Sequence, residues 1–225
     1  MIGFKEQSVI ADGPDEAGKD LRRTCAGESA YISCMQDLLR ECADYLWLAL
    51  GIVWLLGAIT AKRSARTQSP GSRLLQIMPE IAAFFLLFGR FMWPHWLRWR
   101  FVGEQALATA WVGLALTVAG IALAIWARLW IGRNWSGRVT IKEQHELIQN
   151  GPYAIVRHPI YAGLLLAILG TAIVHGELRG LLALPLAALG WAWKLRMEEA
   201  FMAQQFGSAY LDYKRRVKAL IPFVV

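Results

Sequence analysis

One stretch limits what this chain can become more than any other: residues 106–127 run for 22 positions without a charged side chain. A helix needs about 20 apolar residues to cross a hydrocarbon core, so this segment is long enough to span a bilayer. Residues 45–61 add 17 uncharged positions, and 77–93 are nearly as apolar but contain Glu80 and Arg90. Two shorter runs follow, 15 residues at 160–174 and 14 at 180–193. Only 18% of the chain is charged, against roughly 25% in soluble domains, and its eleven Trp suit membrane interfaces. These figures exclude a disordered chain, a collagen, a coiled coil and a disulfide-dense scaffold. No run alternates with period two, which argues against a barrel. The expected fold is an all-α polytopic membrane protein with about five transmembrane helices.

The last two runs are separated only by the turn at 174–180, so they form a helical hairpin. Its second helix continues past Trp193 as an amphipathic extension, to be stopped by Gly207. The first connection carries Lys62, Arg63, Arg66 and Arg73, and the third carries Arg128, Arg133, Arg138, Lys142 and Arg157. Six more Lys and Arg follow Trp193, whereas the opposite side has only Arg90, Arg98, Arg100 and Arg179. This bias places the third connection and the C-terminus in the cytoplasm and the N-terminus outside. The net charge of +7 is thereby explained by topology, and nucleic acid is not an expected partner. Residues 64–72, with Pro70 and Gly71, read as an exposed turn-rich loop.

Residues 1–44 differ in kind, with five Lys and Arg against nine Asp and Glu. They are read as a polar N-terminal extension, ahead of three transmembrane helices over 45–127 and a C-terminal unit over 128–225. No basic region followed by an apolar stretch marks a cleavable signal. Met35 directly precedes an amphipathic lead into the first span and is a second candidate start. Cys25, Cys34 and Cys42 have no metal-ligand spacing; outside a bacterial cell two of them are able to pair, or all three are incidental thiols.

Ionisable residues gather in the second half. Gly151-Pro152 marks a turn, and Arg157-His158-Pro159-Ile160-Tyr161 opens the fourth span. Pro159 fits the first helical turn, where its missing N–H costs nothing. Arg157 and His158 then sit at the positive end of the helix dipole, which favours an anion such as a carboxylate. They read equally as an interfacial pair facing lipid head groups. Beyond the fifth span, Lys194 and Glu198 share a helix face, and a hairpin brings them to the same membrane depth as the Arg157 turn. Ionisable residues converging at one depth mark a site. Glu198 facing inward would close that site; facing outward it would form a weak surface pair with Lys194. The tail at 208–217 reads as a short basic amphipathic helix on the bilayer surface.

Gly-Pro-Tyr-x3-Arg-His-Pro-x-Tyr-x-Gly at 151–163 and Glu-Glu-x-Phe-x4-Phe-Gly-x2-Tyr-x2-Tyr at 198–213, ending in Ile221-Pro222, resemble the isoprenylcysteine carboxyl methyltransferase family. Gly132-Arg133-Asn134-Trp135-Ser136 and His145-Glu146-Leu147-Ile148 are similar to its bacterial members. The resemblance covers 128–222. It implies an integral membrane methyltransferase, placed in a bacterial inner membrane, that moves a methyl group from S-adenosylmethionine to a lipophilic small-molecule or lipidated acceptor, leaving S-adenosylhomocysteine.

By that resemblance a cytoplasmic-side cofactor pocket is lined by Arg138, His145, Glu146, Leu147, Ile148, Tyr153, Arg157, His158, Pro159, Ile160, Tyr161 and Glu198. The family's substrate-side Arg falls on Lys194, with Arg196 close by as a substitute cation. Arg157 and His158 suit the cofactor's carboxylate, Glu198 its ammonium, and Tyr153 or Tyr161 its sulfonium or adenine. In-line methyl transfer needs alignment and exclusion of water. A thiol or hydroxyl acceptor would also want a base, His158 or Glu198. No Gly-x-Gly-x-x-Gly follows a strand, so a soluble Rossmann-type domain is not expected, and no metal is expected. Membrane sterol and steroid reductases, which use NADPH, look similar around Arg157-His158-Pro159 and form the alternative.

Overall fold

The computed structural model describes residues 14–59, 64–67, 70–89, 93–103, 106–132, 140–142 and 147–222. Six α-helices lie among them: α1 (Pro14–Ile59), α2 (Pro70–Phe88), α3 (Leu107–Ile131), α4 (Pro159–His175), α5 (Leu178–Phe206) and α6 (Ser208–Arg216). Two short strands, β1 (Ser64–Thr67) and β2 (Thr140–Lys142), pair antiparallel with Ser64 opposite Lys142 and Thr67 opposite Thr140.

The ribbon corrects the expectation of a loop over 64–72. Residues 64–67 find a backbone partner in the third connection, and Pro70 opens α2, a position where a missing N–H is harmless. The pairing also holds the first and third connections at one end of the bundle. The tail joins them there: Arg157 N–H donates to the Lys218 carbonyl at 2.8 Å and His158 N–H to Ala219 at 3.0 Å. At the other end, Phe101 N–H reaches the Gly176 carbonyl and Leu178 N–H reaches Trp99. Among the described residues these contacts therefore fall into two groups, one at each end of the bundle.

Composition changes near residue 44, but the helix does not break there. α1 runs through that point, and Leu39 and Ala43 are buried with Ala110 and Val174. The Asp44 carboxylate lies 3.1 Å from His175 Nε2 at the end of α4. The segment just before the first apolar run is therefore part of the body. Cys34 and Cys42 carry free thiols.

Small residues let α3 and α4 approach closely. Gly113, Thr117, Gly120 and Ala124 of α3 face Gly163, Ala167, Gly170 and Val174 of α4. A Cβ on Gly120 would stand 2.4 Å from the Gly163 carbonyl oxygen, and one on Gly163 would stand 2.6 Å from that of Gly120. Where lipid is as apolar as leucine, such backbone contact is what holds helices together. Thr171 donates to the Ala167 carbonyl at 2.8 Å, and the Trp47 indole of α1 donates to Thr171 at 2.9 Å. Replacing Gly163 by Leu is expected to cost about 3 kcal/mol or more through overpacking. A matched Leu at Gly51, where nothing lies within 4 Å, should leave the melting temperature in detergent unchanged.

α5 packs along α2, and its Ala183, Ala187 and Trp191 share one buried core with Ala83 and Leu87. The Arg179 guanidinium donates to the carbonyls of Leu86 at 2.9 Å and Gly89 at 3.0 Å, satisfying the open end of α2. Gly176 turns the α4–α5 hairpin at φ +69°, and Gly207 closes α5. Leu107–Ile131 is the described helix long and apolar enough to cross a membrane, and only 33% of its apolar window is buried. A soluble core helix would be mostly covered. Leu48, Ile52, Leu55, Trp111, Val118 and Leu129 are among the large apolar side chains left exposed, an outer surface that suits lipid.

Candidate functional site

The hairpin brings the start of α4 beside the far half of α5. Pro159 sits at the first position of α4 and His158 at its N-cap. The Arg157 side chain, only 8% exposed, donates from Nε and Nη2 to Glu199 Oε1 at 2.9 and 2.5 Å. Its Nη1 donates to the Lys214 carbonyl at 3.3 Å and to that of Val217. Lys214 Nζ donates to the second Glu199 oxygen at 2.6 Å. Glu199 is thus the anion that Arg157, His158 and Lys214 share. Arg157, expected to meet a cofactor carboxylate, is instead engaged by the protein itself.

Glu198, one residue earlier, has different neighbours. The Tyr161 hydroxyl donates to its Oε1 at 2.8 Å, and its Oε2 lies 3.8 Å from His158 Nδ1. Its side chain keeps 20% exposure, so it retains acceptor capacity. His158 Nε2 lies 3.4 Å from Glu199 Oε1, which leaves the imidazole between the two carboxylates. His158 stacks on Tyr161 at 5.7 Å between ring centroids, and Tyr161 on Trp191 at 5.9 Å. Lys194 Nζ sits 5.5 Å over the Tyr161 ring, within cation–π reach.

Burial alone would raise the Glu199 carboxyl; hydrogen bonds from His158, Lys214 and Arg157 outweigh it and hold the group well below the usual carboxylate range. Burial pushes the Tyr213 phenol up to about 12, and its hydroxyl donates to the Tyr153 carbonyl at 2.6 Å. Tyr153 is raised as well, by burial first and then by Glu198.

Of the residues expected at the site, His158, Tyr161, Lys194 and Glu198 come together. Tyr153 is buried beneath them, with its hydroxyl 3.4 Å from the Ala127 carbonyl. Pro159 is buried and Ile160 packs into the core. Leu147 and Ile148 are half-buried. Arg138, His145 and Glu146 lie outside the described residues. Arg196 does not join the cluster. Two residues beyond Lys194 it has turned by about 200° around the helix, and it is exposed.

Sequence reasoning missed the part played by Glu199, Trp191, Lys214 and Tyr213. The Glu198-Glu199 doublet was the available signal, yet a doublet alone does not say that both members face inward. α6 also departs from expectation: Tyr210 and Tyr213 share one face and are buried against the protein, so the helix docks on the body while Arg215 stays exposed.

The apolar hairpin of α4 and α5 thus carries a buried ionic cluster and an aromatic stack at one end. Residues 108–209 match the phospholipid methyltransferase family model. Protein-S-isoprenylcysteine O-methyltransferase B of Arabidopsis thaliana is 32% identical over 122 residues, covering 50% of this chain and 58% of that protein. A probable protein-S-isoprenylcysteine O-methyltransferase of Oryza sativa subsp. indica is 30% identical over 120 residues, 51% of this chain and 62% of that protein. The cobalt-zinc-cadmium resistance protein CzcN of Cupriavidus metallidurans is 36% identical over 110 residues, 48% and 49% respectively. The chain therefore spans about half to three-fifths of these relatives. The solved structure of a eukaryotic intramembrane Ras methyltransferase, isoprenylcysteine carboxyl methyltransferase, is 25% identical with a TM-score of 0.46, covering 71% of this chain and 55% of that one.

Proposed function

We propose that this protein is an integral membrane methyltransferase that uses S-adenosylmethionine to methylate a lipophilic acceptor, of isoprenylcysteine carboxylate type or similar. The observation that carries the reading is the meeting of the α4 start with the α5 end: Tyr161 on Glu198 at 2.8 Å, and the stacked rings of His158, Tyr161 and Trp191. The donor set fits the cofactor. Glu198 offers carboxylate oxygens to an ammonium, and the aromatic faces suit adenine or a sulfonium. The first-turn amides of α4, beside His158, take the cofactor's carboxylate. Arg157 supports this arrangement from behind through Glu199.

S-adenosylmethionine supplies a methyl group activated by the sulfonium, which leaves the chain the tasks of binding, alignment and exclusion of water. Lys194, buried beside the ring stack, holds an anionic acceptor. The stretch from His145 to Ile148, with Arg138, completes the cofactor's surroundings, and residues 128–225 form the catalytic unit behind three membrane helices over 45–127. Five crossings of a bacterial inner membrane, with site and C-terminus cytoplasmic, agree with the charge bias and with the sorting of connections between the two ends. The acceptor reaches the site sideways from the bilayer.

The test is methyl transfer from labelled S-adenosylmethionine to a membrane lipid extract, followed by identification of the product. Label above that of a Glu198→Ala control is expected; equal label in the two would overturn the reading.

A further inference from the structure

We propose that the C-terminal strap, α6 with residues 217–219, sets the His158 turn through Glu199, and that Lys214 and Glu199 are positioning residues for the site. The inference rests on the methyltransferase reading for its ligand but not for its geometry. The strap grips the turn three times. Backbone N–H groups of Arg157 and His158 donate to Lys218 and Ala219 at 2.8 and 3.0 Å. The Arg157 guanidinium donates to the Lys214 and Val217 carbonyls. The Tyr213 hydroxyl holds the Tyr153 carbonyl at 2.6 Å, while Arg216 reaches Gln149 Oε1 at 3.0 Å.

Glu199 is where strap and site meet. Lys214 holds one of its oxygens, and the other is shared by Arg157 and His158 Nε2. His158 in turn stacks on Tyr161, which donates to Glu198. A residue of the strap thus reaches the ring stack through one carboxylate, without facing the site itself. The charged and titratable groups around His158 are Glu198 and Glu199 of α5, Arg157 on its own turn, Tyr161 of α4 and Lys214 of α6. Removing the Lys214 ammonium frees one Glu199 oxygen to turn away from the pair with Arg157. The His158 ring then loses its fixed place between the two carboxylates.

The test uses the full chain in detergent, since Lys214 is 48% exposed and its substitution leaves the packing intact. Lys214→Met and Lys214→Arg are compared with the unaltered protein by calorimetric titration of S-adenosylhomocysteine and by the ring resonances of its four histidines, with His158 assigned by substitution. In Lys214→Met the His158 resonances should move, and the melting temperature should fall by less than in Arg157→Met, because Arg157 still pairs with Glu199. Affinity should fall about tenfold, as when the competent arrangement drops to a tenth of the population. Lys214→Arg should restore both. Unmoved His158 resonances in Lys214→Met would overturn the proposal, as would full affinity in a variant whose resonances had moved. Absence of S-adenosylhomocysteine binding in the unaltered protein would defeat the methyltransferase reading instead, and the resonances would still decide the strap.

Discussion

Replacing Arg157 by Met is expected to cost about 3 kcal/mol of stability, the low end for breaking a buried ion pair because Lys214 remains as a counter-charge. The loss has two parts. Glu199, 9% exposed, keeps its charge with one cation fewer, and the Lys214 and Val217 carbonyls lose their donor. Thermal unfolding in detergent measures it. The pH dependence follows from the direction of the Glu199 shift. A carboxyl held below its ordinary value of about 4.3 contributes its full stability above that value and loses it as pH falls toward the depressed folded value. The gap between the two proteins should therefore be full at pH 7 and narrow below about pH 4. A gap that widens in acid would mean that Glu199 is not the anion Arg157 serves.

Glu198→Ala should act on the ligand and leave the fold alone. Truncating one partner of a charge-assisted contact costs about 2–5 kcal/mol, which is roughly thirtyfold to several thousandfold in the dissociation constant. Within the protein the change removes one acceptor from Tyr161, worth about 1 kcal/mol. Titration of S-adenosylhomocysteine against Glu198→Ala, with a melting curve on the same sample, separates the two effects. Affinity equal to that of the unaltered protein would mean that Glu198 serves Tyr161 alone.

The two carboxylates show how far the sequence could be read. A hairpin turn at 174–180 and a proline at the start of α4 are local signals, and together they bring residues 157–161 and 194–199 to one end of the bundle. Which glutamate would face which partner depends on the tail, and the tail's docking depends on Tyr210 and Tyr213 sharing a face with the protein. Their hydroxyls and the adjacent Lys and Arg look from sequence like an interfacial helix, because a tyrosine face suits bilayer and protein alike.

Gly163 teaches the same lesson from the core. In sequence it belongs to the Arg-His-Pro-x-Tyr-x-Gly pattern, whose Arg157, His158 and Tyr161 suggest a role at the site. In the fold it marks the place where the α4 backbone meets Gly120 of α3, a contact that no single helix encodes. The ribbon of β1 and β2 was out of reach for a related reason. Each strand is too short to show a period, and the pairing joins residues about seventy-five positions apart in sequence. α1 was divided at residue 44 because charge changes there, yet polar and apolar residues extend one helix equally well when Leu39 and Ala43 have Ala110 and Val174 to cover them.

Glu198, His158 and Tyr161 are proposed to form a binding place for S-adenosylmethionine and not for a reduced nicotinamide. Parallel calorimetric titrations of the unaltered protein with S-adenosylhomocysteine and with NADPH address it directly. Saturable binding of S-adenosylhomocysteine, with no comparable response to NADPH, is the predicted result. Tight NADPH binding and no heat from S-adenosylhomocysteine would contradict it and return the chain to the reductase reading.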